Sequence, residues 1–189
     1  MRLTLPTALA ATALLLAGCA GGSDAPAPAP GAPPRADAPV PDQGLPVDAM
    51  PATDREGFTE CPYLDTQWVA DTNGQRVTGV GTDTRFDTPA CQYWSYPEEP
   101  QLTVVVRHTR TPEDAMAVVD WATPIDVTDP ASQPAGWNGG RAGGGQVPGY
   151  AGAIYSVAKG TVAVTVWSNQ QESVKAQAVA EETIARLGL

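Results

Sequence analysis

His108 is the single histidine in a chain of 189 residues, and it limits the catalysis that the sequence can support. A serine or cysteine nucleophile needs a base within hydrogen-bond reach and a carboxylate to orient that base. No serine here sits in a Gly-x-Ser-x-Gly elbow. His108 ends the run Gln101 to Thr109, in which Leu102, Val104 and Val106 alternate onto one face, so it is expected at the end of a strand, on the edge of the core. Metal chemistry finds no footing either. One histidine gives no His pair, and Asp71-Thr72-Asn73-Gly74 matches only the opening of a calcium loop, without the downstream acidic ligands. Glu98-Glu99 between two prolines, and Asp83 with Asp87, resemble paired carboxylates, but acid/base work needs a cleft that raises one pKa, whereas proline-framed turns are solvated. The glycine-dense run Gly136 to Gly145 lacks the Lys-Ser/Thr ending of a phosphate loop. The chain therefore reads as non-catalytic, with no metal and no cofactor expected.

Binding is the chemistry left to the side chains. In the run Thr161 to Ser168, Val162, Val164 and Val166 alternate toward a core, which turns Thr161, Ala163, Thr165 and Trp167 to the other side. The run Gln101 to Thr109 likewise turns Thr103, Val105, Arg107 and Thr109 to that side. Small polar residues with Arg107, Thr165 and Trp167 make a wall for an amphiphile or a sugar, and Trp94 joins them if its strand is in register. Trp137 and Arg141 lie in the glycine-dense run, where glycine permits a mobile flap that offers a stacking ring and a charge. On this pattern Trp167 faces solvent in the free protein.

The elements that must position these residues lie in the second two-thirds of the chain. Ala20 to Gly57 holds nine Pro, five Gly and nine Ala in 38 residues and no aromatic ring, a composition that cannot offset the entropy of ordering. It predicts a disordered tether with polyproline II character, and a globular domain over residues 58–189. Within that domain the pattern predicts helices over Pro62 to Asp71, from Thr111-Pro112 to Ala122, and over Gln170 to Leu187. Five strands are expected, over Arg76 to Val80, Ala90 to Tyr96, Gln101 to Thr109, Tyr150 to Ala158 and Thr161 to Ser168, the last two joined across Lys159-Gly160. Thr123 to Gly149 reads as a long loop. The expected architecture is α+β: an antiparallel sheet of about five strands packed with three helices.

With 21 acidic against 11 basic residues the net charge is −10, and Lys159 and Lys175 are the only lysines. Nucleic-acid binding draws on Lys and Arg displacing counterions, so it is excluded. Met1-Arg2 is followed by an uncharged Leu/Ala-rich run to Ala17, shorter than the roughly 20 residues that span a bilayer. It is a signal peptide of residues 1–18, and Leu16-Ala17-Gly18-Cys19 resembles the bacterial lipobox. That pattern implies a diacylglyceryl group on Cys19, which becomes the mature N-terminus, and two acyl chains suffice for stable anchoring on the outer face of the cell membrane. Lipidation of Cys19 leaves Cys61 and Cys91, which form one bridge in an oxidising compartment or remain two buried thiols.

Cys61-Pro62-Tyr63-Leu64, Trp94-Ser95-Tyr96-Pro97, Gly136-Trp137 and Trp167-Ser168-Asn169-Gln170-Gln171 resemble an actinobacterial family of envelope lipoproteins classed only as a domain of unknown function. The resemblance covers most of residues 61–189 and implies an actinobacterial source without an established chemistry. The element order is similar to the small sandwich of Mog1/PsbP-like proteins, an analogy of fold alone. The expected function is a membrane-tethered binding module for a small envelope ligand or a protein partner. Its alternative is an assembly factor acting only through protein contacts.

Overall fold

A computed structural model describes residues 44–189. The expected signal peptide, Cys19 and the expected tether up to residue 43 lie outside the described residues.

Helix α1 covers Thr66–Asn73, four residues later than the sequence pattern places its start. Asp65 is extended and its carboxylate accepts the Trp68 N–H at 2.8 Å, so the N-cap sits there and not at Pro62. Gly74, at φ 75°, closes the helix in the left-handed conformation that glycine adopts without strain. Helix α2, Pro112–Ala122, begins as expected, with the Thr111 hydroxyl accepting from the Asp114 N–H and proline in the first turn. Helix α3 covers Ser173–Leu187 and ends at Gly188.

The strands are β1 Gly79–Asp83, β2 Thr88–Trp94, β3 Pro100–His108, β4 Asp129–Ala131, β5 Asn138–Ala142, β6 Ala153–Lys159 and β7 Val162–Ser168. They form one antiparallel sheet of seven in the order β1-β2-β3-β7-β6-β5-β4. The expected five are all present within a few residues, and the two further strands, β4 and β5, come from the stretch read as a loop. In β5 the glycines are the reason, and β4 is only three residues long with a proline at its centre. A Cβ on Gly139 would stand 2.0 Å from the Ser156 carbonyl oxygen, so β5 lies this close to β6 only because residue 139 has no side chain.

The helices divide between the two faces of the sheet. On the first face Leu102, Val104, Val106, Val164 and Val166 meet Ala176, Val179, Ala180 and Ile184 of α3, together with Val69 of α1. The Cys61–Cys91 bridge belongs to this layer, with Cα atoms 5.7 Å apart. Small residues on α3 let it approach the valine rows closely. On the second face α2 sets Ala115, Val118 and Val119 on Ala158 and Ala163 of the β6–β7 hairpin. No helix among the described residues is long and apolar enough to cross a membrane.

Candidate functional site

Pairing of β3 with β7 sets Thr103 opposite Trp167, Val105 opposite Thr165 and Arg107 opposite Ala163, so these residues share the second face as the alternation predicts. That face is not open. Residues 44–57, assigned by composition to the tether, return across the sheet as a strap. The Arg107 guanidinium donates to the carbonyls of Leu45 and Pro46 at 2.8 and 3.1 Å and stacks 5.9 Å from the Phe86 ring centre. Asp83 accepts the Ala52 N–H at 2.9 Å, and Arg85 donates to the Met50 carbonyl at 3.1 Å. Thr53 donates to Gln92, whose amide in turn donates to Thr103. The strap then passes over β1 at two glycines. A Cβ on Gly79 would meet the Arg55 carbonyl at 2.8 Å, and one on Gly81 would meet the Thr53 hydroxyl at 2.6 Å. Arg55 finally reaches Thr78 and the carbonyls of Ser95 and Pro97.

The expectation that Trp167 faces solvent is thereby corrected. Its side chain is 6% exposed, packed with Phe86, Ala90, Val105, Ala122 and Ile154 under Leu45, Ala49, Val147 and Tyr150. Thr165 is buried and hydrogen-bonded to Ser156 at 2.7 Å. Trp94 is buried at the end of β2. Trp137 is buried among the residues of the first face, with the Lys159 ammonium 5.8 Å from its ring centre, and it is part of the core and not of a flap. Arg141 is exposed on β5. The six residues put forward for binding thus do not surround one cavity: Arg107, Thr165 and Trp167 share the filled second face, and Trp137 belongs to the first.

The other candidates resolve locally. His108 ends β3 with Nε2 3.0 Å from the Thr88 hydroxyl. Burial alone would raise the Asp83 carboxyl, but hydrogen bonds from the Arg85 side chain and from the Ala52 and Arg85 amides hold it below the usual carboxylate range. Such a group is an ionised clasp on the strap and not a general acid. Asn73, fully buried, donates to Gln101 at 2.9 Å and accepts from Ser168 at 2.7 Å, and Asn169 donates to Gln75. The Trp167-Ser168-Asn169-Gln170 run and the supposed calcium-loop fragment are therefore two sides of one polar network that ties α1 to the ends of β3 and β7. Burial pushes the Tyr63 and Tyr93 hydroxyls up, and each donates to a main-chain carbonyl, of Pro89 and Leu64 respectively.

One surface was missed by sequence reasoning. At the end of α2, Trp121, Ile125 and Val127 are exposed, Ile125 by 85%. The turn that carries Ile125 and Val127 is closed by hydrogen bonds. Val127 N–H donates to Pro124 O at 3.1 Å, and the Thr128 hydroxyl donates to Pro124 O at 2.9 Å. Beside Ile125 runs a groove of about 230 Å³ lined by Met116, Val119, Pro130 and Gly140, with the exposed Asp120 and Asp129 also on its wall; Asp126, next to Ile125 in the chain, is exposed as well. Trp121 also touches Trp167 edge-on, with ring centres 6.0 Å apart, so that ring rests on the packed second face. The available signal was apolar Ile125 and Val127 in a Pro/Asp/Thr turn.

No curated protein matches the chain. A family model described as a domain of unknown function (DUF2020) matches residues 45–189, from the first strap residue gripped by Arg107 to the C-terminus, and the chain belongs to that family.

Proposed function

We propose that this protein is an extracytoplasmic lipoprotein, held to the cell membrane by lipid on Cys19, whose domain is a non-catalytic binding module acting through protein contacts. The observation that carries this reading is the run of exposed apolar side chains at the end of α2, Trp121 on the helix and Ile125 and Val127 on the hydrogen-bonded turn that follows it, with the exposed Asp120, Asp126 and Asp129 between and after them in the chain. Apolar side chains carried by a helix end and a hydrogen-bonded turn lose little backbone entropy on docking, and acidic neighbours favour a partner with an apolar centre and basic edge. The alternative, a small ligand on the Thr103/Arg107/Trp167 face, is disfavoured because Leu45, Ala49, Val147 and Tyr150 already fill that space. Membrane tethering rests on the lipobox and its preceding apolar run. A photo-crosslinking side chain placed at position 125 of the full chain in its own envelope tests the reading, with position 174, an exposed valine on α3, as reference. Position 125 is expected to yield a discrete protein adduct that is lost when Asp120 and Asp126 are changed to Lys. Equal adducts from positions 125 and 174, or none from 125, would refute it.

A further inference from the structure

The strap is held as a binding domain holds a peptide. Arg107, Asp83 and Arg85 all contact its main chain, at Leu45, Pro46, Ala52 and Met50, while Leu45 and Ala49 fill the apolar space above Phe86 and Val105. Nothing in that set of contacts requires strap and groove to belong to the same molecule. The connection between them is short and strained. Phe58, 60% exposed, sits at φ 45° and ψ 42°, a left-handed conformation that a bulky L-residue adopts only at a cost. On one side of it the 3₁₀ turn Arg55–Gly57 ends the strap, and on the other the Thr59 N–H bonds to Val80 O and Cys61 is bridged to β2. The bend is therefore concentrated in one residue.

We infer that the groove beneath the strap also accepts residues 44–57 of a second copy of this chain, by exchange of straps between two molecules hinged at Phe58. The contacts made by the strap are the same in the closed monomer and in the exchanged pair, so they cancel. What differs is the hinge: extending the chain there releases Phe58 from its left-handed conformation in both copies, and strained hinges favour exchange. The strap lies N-terminal to the hinge with no disulfide of its own, so it can leave without unfolding the sheet. This inference does not depend on the docking patch at Ile125.

Two differently tagged full-length chains are produced together, one carrying Ala52→Cys and the other Asp83→Cys, positions brought together by the hydrogen bond of 2.9 Å between them. Exchange predicts a disulfide joining the two tags. That product should fall about 100-fold when both chains also carry Phe58→Gly, the ratio corresponding to roughly 1.4 kcal/mol of left-handed strain removed from the closed form of each of the two copies. Absence of the mixed product, while a single chain with both cysteines closes its own bond, overturns the inference. So does a mixed product indifferent to Phe58→Gly, which would report collision only. Light scattering on the full chain without engineered cysteines gives a second readout: a dimer reduced by Phe58→Gly supports exchange, and a monomer at all concentrations overturns it.

Discussion

Replacing Trp167 by Ala separates a packed second face from an open one. The ring is 6% exposed and touches Phe86, Val105 and Ile154, with Trp121 edge-on at 6.0 Å. Truncating a buried aromatic side chain to Ala costs about 3–5 kcal/mol, of which an edge-to-face pair accounts for about 1. Trp121 is 38% exposed and can settle partly into the space, so the lower half of that range, about 3–4 kcal/mol, is expected. For a domain of this size each kcal/mol lowers Tm by roughly 2–4 °C, giving a drop on the order of 10 °C. Urea unfolding followed by far-UV circular dichroism measures the cost, and an unchanged slope would show that the unfolded state is not altered. Trp121→Ala should cost less than half as much, because much of that ring is already in water. A loss below about 1 kcal/mol for Trp167→Ala, or a larger loss for Trp121→Ala, would refute the packing described here.

The Asp83 clasp gives a pH signature. Because its folded pKa lies below the unfolded value of about 3.9, the stability it contributes is present above about pH 4 and is lost as pH falls through the folded pKa. Unfolding free energies measured from pH 6 to pH 2 should therefore fall less steeply in Asp83→Asn than in the wild type. Reduction of Cys61–Cys91 should lower stability by about 4 kcal/mol by loop-closure entropy, read as a shift of the urea midpoint under reducing conditions, and a shift worth less than about 1 kcal/mol would contradict the bridge's role. Cys19→Ala should release the protein from the membrane fraction or leave it as an unprocessed precursor, and normal retention of the mutant would remove the lipid anchor from the account.

Elements whose signals are local were legible in the sequence. Thr111-Pro112-Glu113-Asp114 announces α2 through its cap and its first turn, and the valines of β3 and β7 fix both strands and which of their faces meets α3. β5 was not legible, because glycine at 139 and 140 lowers strand propensity while close approach to Ser156 and Thr123 demands it, and β4 is three residues with Pro130 at its centre, too short and too proline-like to signal a strand. Alternation found the shared face of Thr103, Arg107, Thr165 and Trp167 but could not say what lies on it. The strap carries no periodicity, and its polar grips, apart from Thr53 and Arg55, are main-chain carbonyls and amides that every residue possesses. Averaging over Ala20 to Gly57 then merged its last fourteen residues with the proline-rich stretch before them.

That this chain fills its own second face is tested most directly by hydrogen exchange at single amides of the strap in the full-length protein. The Ala52 N–H, bonded to the Asp83 carboxylate, and the Thr59 N–H, bonded to Val80 O, should exchange at least about 100-fold more slowly than an unstructured peptide of the same sequence. Asp83→Ala, which removes the acceptor, should release Ala52 while leaving Thr59 protected. Exchange of Ala52 at the unstructured rate in the wild type would mean that the strap does not lie on the sheet. The face of Arg107, Thr165 and Trp167 would then be open to a ligand after all.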